Sequence, residues 1–310
     1  MKGSQVEGTK VSATGHREFL ASLTPQQKKR LTEKSNRKGI AALALHAGAI
    51  LVLGSLIAAK VPFWPLLMVP QGVAIIFLFT TLHETIHRTA FATPSVNDAV
   101  ARLCGFLILL PAEWFRYFHF AHHRHTQDPE RDPELARPKP ETIGQYVAHI
   151  SGFPVWARQV ATIVRNAIRG TRDDYVPPAA RQQVMREARN MLALYALLAA
   201  ISAVAGSAIL LYVWIIPAII GQPFLRLYLL AEHGRCAFVA NMFENSRTTF
   251  TNRLVRRLAW SMPYHAEHHA FPGVPFHRLP DLHKLTAGYL QETEDGYARF
   301  NGRYVRSLSG

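Results

Sequence analysis

Gly39-Ile-Ala-Ala-Leu-Ala-Leu-His-Ala-Gly-Ala-Ile-Leu-Val-Leu-Gly-Ser-Leu-Ile-Ala-Ala59 is an uncharged run of 21 residues, closed by Arg37-Lys38 on one side and Lys60 on the other. About 20 residues of helix cross the hydrocarbon core of a bilayer, so the run reads as a membrane-spanning helix. Val61 to Leu82 follows almost at once, with no charge before Glu84. The two runs predict a helical hairpin with almost no outer loop. A second apolar block runs over 40 residues from Met191 to Leu230. It is interrupted by Gly206-Ser207, Pro217, Gly221 and Pro223, and carries one charge, Arg226. Its length suits two more helices joined by a tight turn.

Composition agrees with a protein partly in lipid. The 310 residues are 49% hydrophobic and 18% charged, with mean hydropathy +0.02. That is too apolar for an ordinary soluble domain and too polar for a chain wholly in lipid. Cys104 and Cys236 lack the spacing of a zinc or redox motif and read as packing residues in a reducing compartment. The net charge of +14 raises nucleic acid as a partner. In a membrane protein, basic residues instead set topology, attract anionic head groups or dock an acidic electron donor, so no nucleic acid is expected.

Orientation follows from the same charges. Lys28-Lys29-Arg30, Lys34 and Arg37-Lys38 precede the first span, and the stretch from Arg88 to Arg189 is rich in arginine, whereas the turn between the first two spans has only Lys60. Both termini are therefore expected on the cytoplasmic side, at the inner membrane in a bacterium. The first 38 residues are polar, so no cleavable signal peptide is expected. The expected layout is a cytosolic segment 1–38, a first hairpin 39–87, cytosolic and interfacial helices 88–189, a second hairpin 190–230 and a C-terminal cap 231–310. Within it, Val100 to Pro111 reads as a partly buried or re-entrant helix, because it is apolar yet too short to span. Arg158, Arg165, Arg169 and Arg172 alternate with Val160, Ile163, Val164 and Ile168 as on an interfacial or cap-surface helix. The Asp128-Pro-Glu-Arg-Asp-Pro-Glu stretch and Val176-Pro-Pro are loops by their prolines.

Beside the apolar runs stand three histidine clusters, His83-Glu-Thr-Ile-His87, His119-Phe-Ala-His122-His123 and His265-Ala-Glu-His268-His269. Residues three and four apart share a helix face, so each unit aims its rings at one point. Eight convergent imidazoles exceed what one zinc takes, and two irons suit that number better. The first cluster also matches H-E-x-x-H, in which two histidines bind zinc and the glutamate, here Glu84, acts as general base. An intramembrane zinc metalloprotease is the competing reading, but it leaves two H-x-x-H-H units without a role. Histidines that merely cap helices are common singly, not as eight at helical spacing.

At these clusters the chain resembles the membrane fatty acid desaturase superfamily, with its series H-x(3,4)-H, H-x(2,3)-H-H, H-x-x-H-H and two transmembrane hairpins. Asn245-Ser-Arg-Thr-Thr-Phe-Thr-Asn252, leading into Trp260-Ser-Met-Pro-Tyr-His265 and on through Phe271-Pro-Gly-Val-Pro-Phe-His277, looks like the C-terminal signature of bacterial members. The resemblance implies an all-α integral membrane protein with four transmembrane helices and a cytosolic helical cap over the metal site. It also implies a ninth imidazole at the end of the fourth span, where His233 stands. In some relatives an Asn one turn earlier holds a water on the metal; here that position is Leu229. The metal-ligand set is then His83, His87, His119, His122, His123, His233, His265, His268 and His269, holding two iron ions, with O2 as co-substrate and no separate acid or base.

The implied reaction is desaturation of a lipid acyl chain. A hydroxylase or ketolase of a lipid, carotenoid or small molecule is the alternative on the same scaffold, because the fate of the carbon left after one hydrogen is removed depends on fine positioning. The chain has no cysteine set for an iron-sulfur cluster, so a separate ferredoxin- or cytochrome b5-like donor with its reductase is expected to supply electrons. Glu84, Glu113, Asp128, Glu232 and Glu267 are the acids near enough in sequence to orient the imidazoles, some of them alternatively solvated. His125 is left as an orienting or spare residue, and His277 and His283 lack ligand spacing. His16, His46 and His149 read as structural or exposed.

Overall fold

The computed structural model describes residues 15–309; the first 14 residues of the expected N-terminal segment, and Gly310, lie outside it. The described chain is mostly helical. Two short helices, α1 (His16–Ser22) and α2 (Pro25–Leu31), lead into α3 (Asn36–Ala58). After a brief turn come α4 (Trp64–Ile76) and α5 (Leu78–Ile86), which continue one another as an apolar rod of 23 residues. Then follow α6 (Pro94–Leu107), α7 (Ala112–His125), α8 (Ile143–Ser151), α9 (Phe153–Arg169), α10 (Pro178–Val204) and α11 (Ile216–His233). The C-terminal part is built of α12 (Met242–Asn245), α13 (Arg253–Leu258), α14 (His265–Ala270), α15 (Leu279–Thr286) and α16 (Tyr297–Arg306).

Four helical stretches are long and apolar enough to cross a bilayer: α3, α4–α5, α10, and α11 with the π-helical turn Leu211–Ile215 before it. α3 and α10 present Leu45, Leu51 and Val52, and Leu197, Ile201 and Val204, outward. Such rows of exposed aliphatic side chains suit contact with lipid tails. The rod α4–α5 lies deeper and packs closely against α11. A Cβ on Gly72 would stand 2.0 Å from the Pro217 carbonyl oxygen, and one on Gly221 would stand 2.2 Å from that of Gly72. Small residues at a crossing let two apolar helices meet backbone to backbone where lipid supplies no hydrophobic drive between them. His46, within the first span, is buried; its Nε2 lies 2.8 Å from the Ala74 carbonyl of α4 and its Nδ1 accepts from Trp260 Nε1 at 3.3 Å. Its ring thus ties α3 to α4 and to the C-terminal part.

The structure departs from the sequence reading in four places. The helix expected from Val100 begins at Pro94, and α6 and α7 form a pair bent by 101°. The bend is made by Pro111 together with Leu109 in the left-handed region at φ 58°. The helix of the third span starts at Pro178 rather than Met191, since proline is favoured in a first helical turn and the arginine-rich stretch after it is a good helix former. This early start lets Glu187 reach α7: its two carboxylate oxygens accept the N–H groups of Ala112 at 3.2 Å and Glu113 at 2.8 Å, capping that helix's free donors. On α9, Ile163 is buried, while Val160, Val164 and Ile168 form an exposed stripe. Finally, the chain is mostly helical, as an all-α fold requires, but it also holds a short parallel pair that was not foreseen, Thr248–Phe250 (β1) with Thr293–Asp295 (β2). The pair, with a bridge from Thr248 to Tyr264, fixes the segment that enters α14.

Candidate metal centre

The fold brings the nine named imidazoles together. α5 carries His83 and leads to His87 at its end; α7 carries His119, His122 and His123; α11 ends on His233; and α14 carries His265, His268 and His269. Two groups result, each with nitrogens close enough to share an ion. His83, His87, His119, His123 and His268 form one, and His122, His233 and His269 the other, their donor atoms lying within 4.8 Å of one another. His265 joins the second group, its Nε2 2.9 Å from that of His233. The groups adjoin: the rings of His123 and His269 stack at 4.1 Å.

Hydrogen bonds at the far nitrogens decide what the second group can do. His122 Nδ1 donates to Asp132 at 2.9 Å, and His233 Nδ1 to the Asn245 carbonyl at 3.0 Å. The Thr126 hydroxyl gives its proton to the His122 carbonyl at 2.8 Å, so at its 3.1 Å contact with His269 Nδ1 it is the acceptor. In a neutral imidazole whose Nδ1 carries the proton, Nε2 is a lone pair. With both rings neutral, the Nε2 atoms of His122 and His233 face each other as lone pairs 3.2 Å apart, and that of His269 is buried with no hydrogen-bond partner. Facing lone pairs in a buried site repel unless a cation lies between them. The residues present thus fit a metal ion at this place.

The first group is less tied from behind. Both ring nitrogens of His83, and Nδ1 of His123 and His268, are buried without partners, which is costly for polar atoms shut away from water. His87 and His119 meet through Nε2 at 3.0 Å, and His123 and His268 at 3.2 Å. Burial, with Arg116 nearby, pushes His87 down to about 3. Burial and neighbouring rings hold His119, His123, His265, His268 and His269 well below the usual histidine range, so these rings are neutral at pH 7. His122 differs: burial alone would lower it, but the Glu134 and Asp132 carboxylates raise it.

Of the acids named from sequence, Glu232 alone faces a clustered ring, 3.4 Å from His265 Nδ1. Glu84 Oε1 accepts the Phe276 N–H at 2.9 Å and so fastens α5 to the segment after α14. Glu113 pairs with Arg102 and Arg116, and Asp128 with Arg131. Glu267 turns away from the cluster, to Thr248 and to His283 Nδ1 at 2.5 Å. The acid that reaches His122 is Asp132, four residues beyond Asp128; it is buried and also accepts from the Gln127 N–H. A loop beginning directly after the second cluster was the only sequence signal for it. His125 stands partly exposed outside both groups.

Losing a carboxylate that orients a metal-binding histidine costs about 10–100-fold in metal affinity or activity. Asp132→Ala should therefore lower retained metal by that order, Asp132→Asn by less, and Asp128→Ala not at all. Metal per chain after dialysis against a chelator checks this, and equal losses in the Asp128 and Asp132 variants would contradict it.

The sequence profile of the family described as "Fatty acid desaturase" matches residues 58–301. A relative described as "Omega-3 fatty acid desaturase, chloroplastic", from Glycine max, is 24% identical over 238 residues, which are 70% of this chain and 52% of the relative. The chain thus spans about half the length of the curated relative it matches.

Proposed function

The chain belongs to the fatty acid desaturase family, and from that premise we propose that it is an integral membrane di-iron oxidoreductase that uses O2 to introduce a double bond into a lipid acyl chain. The observation that carries this reading is the set of buried Nε2 lone pairs converging from His122, His233 and His269 beside the five-histidine group. The first iron would be held by His83, His87, His119, His123 and His268, and the second by His122, His233, His265 and His269. Iron is favoured over zinc by number: one group alone gathers five imidazoles, more than the four ligands a zinc site takes, and imidazole also suits iron.

When bound, the irons would supply the activation of O2 that an unreactive C–H bond requires. Overall, two hydrogens would leave adjacent carbons and O2 would become two waters, with two electrons from a separate donor protein and two protons from solvent. The chain's own residues orient and enclose. Asp132, Asn245 and Thr126 fix which nitrogen each ring offers, while Phe79 and Phe115, whose rings lie 6.2 Å from His83 and 5.4 Å from His119, keep the approach apolar. α3 with α4–α5, and α10 with α11, form the two hairpins, and the histidines lie at their cytoplasmic end. The arginine distribution supports that orientation. Hydroxylation or ketolation on the same centre is the second reading, since the same first hydrogen is removed in each.

Glu84 separates this reading from a zinc protease. As the general base of H-E-x-x-H it would face the metal and activate water, and Gln in its place would stop turnover. Its carboxylate instead holds the Phe276 N–H, a contact the Gln amide oxygen can keep. Glu84→Gln should retain measurable O2-dependent product, lowered by at most about 10–100-fold. Peptide cleavage by the parent that needs neither O2 nor an electron donor, and that vanishes in the variant, would overturn the desaturase reading.

A further inference from the structure

A cavity of about 470 Å³ opens beside the histidines, within the size range of ligand sites. Its wall near the clusters is apolar: Phe79 beside His83, Phe115 beside His119, and Leu229 one turn before His233. The rest carries four arginines, Arg137, Arg158, Arg165 and Arg226, against two acids, Glu134 and Asp173. Asp173 is already held by Arg165 at 2.8 Å and by Trp114 Nε1 at 2.7 Å. Glu134 stands exposed beside His122 at 3.6 Å. Among the described residues no carboxylate lies within 4.0 Å of Arg137, Arg158 or Arg226.

Arg226 is the informative one. It is the single charge of the apolar run from Met191 to Leu230, and its Nε is buried with no hydrogen-bond partner. A cation at such depth is costly and marks a function when no protein anion answers it. It precedes His233 by seven residues, two helical turns or about 10 Å along α11. Arg137 and Arg158 stand exposed at the cavity's rim. A guanidinium pair over a half-buried third is suited to a carboxylate or phosphate, which it can engage through paired N–H donors.

Resting on the desaturase reading, we infer that the substrate carries an anionic group, bound inside this cavity by Arg226 with Arg158 and Arg137, and that its alkyl chain lies against Phe79, Phe115 and Leu229. The substrate is thus a fatty carboxylate or a phosphate-bearing lipid, not a neutral alcohol, hydrocarbon or carotenoid.

Binding of three 16-carbon probes to the full chain in uncharged detergent tests this without turnover: hexadecanoate, hexadecyl phosphate and hexadecanol. At least one anion should bind about tenfold or more tighter than the alcohol, and whichever anion leads names the source of the group. Arg226→Met should abolish that preference, Arg226→Lys should keep part of it, and Arg158→Gln, on an exposed side chain, should weaken it without risk to folding. Equal binding of all three probes, or a preference that survives both Arg226→Met and Arg158→Gln, overturns the inference. Iron measured in the same preparations separates the two claims. Lost anion preference with iron retained defeats this inference alone, and anion preference in a protein that takes up no iron defeats the di-iron reading alone.

Discussion

His268→Ala should abolish product and empty at least one iron position while leaving the protein inserted and monodisperse. His268 is fully buried, its Nε2 is 3.2 Å from that of His123, and its ring lies within 4.8 Å of those of His83 and His87. Truncation removes one donor from the five-histidine group and leaves the remaining rings with a poorer claim on the metal. An orienting residue is worth about 10–100-fold, so direct loss of a donor should exceed about 100-fold. His122→Ala should do the same for the second group, where it would also strand the Asp132 carboxylate without its ring. Iron per chain and O2-dependent product together check this. Full activity in either variant would remove the di-iron assignment.

Equally large is the effect expected at His233, which no cluster in the sequence contains. Its Nε2 faces those of both His122 and His265, and its Nδ1 is fixed on the Asn245 carbonyl. His233→Ala should therefore lose iron and turnover as fully as a substitution within a cluster. His46→Ala is the matched control. His46 is as buried as His233, but its nitrogens serve Ala74 and Trp260, so iron per folded chain should be unchanged. Leaving the Trp260 N–H unpaired costs about 1–3 kcal/mol, which should appear as a lowered melting temperature instead. Indistinguishable iron contents in the two variants would show that His233 is not a ligand.

The apolar spans and the grouping of histidines were legible because both are local, periodic properties. An uncharged run of 21 residues such as Gly39 to Ala59 declares its length in the sequence, and rings three or four apart must share a helix face. What holds those rings was not legible. Asp132 reaches His122 from a loop ten residues on, Asn245 meets His233 across a turn, and Thr126 meets His269 from 143 residues away. None of these contacts follows from spacing on one helix. Proximity in sequence even misled: Glu113, Glu84 and Glu267 adjoin the clusters along the chain, yet each is engaged in tying elements together. The pairing of β1 with β2 escaped for a like reason, since three residues joined to a segment some 45 positions later leave no periodic trace. The early start of α10 escaped because its first turns are polar, and hydropathy marks only the part of a helix that faces lipid or core.

Metal analysis of the intact protein, purified without added metal, tests the central claim most directly. The arrangement of nine imidazoles in two adjoining groups predicts two iron ions per chain, falling toward one or none in His268→Ala and His122→Ala. One zinc per chain, retained when His268 or His122 is replaced, would contradict it.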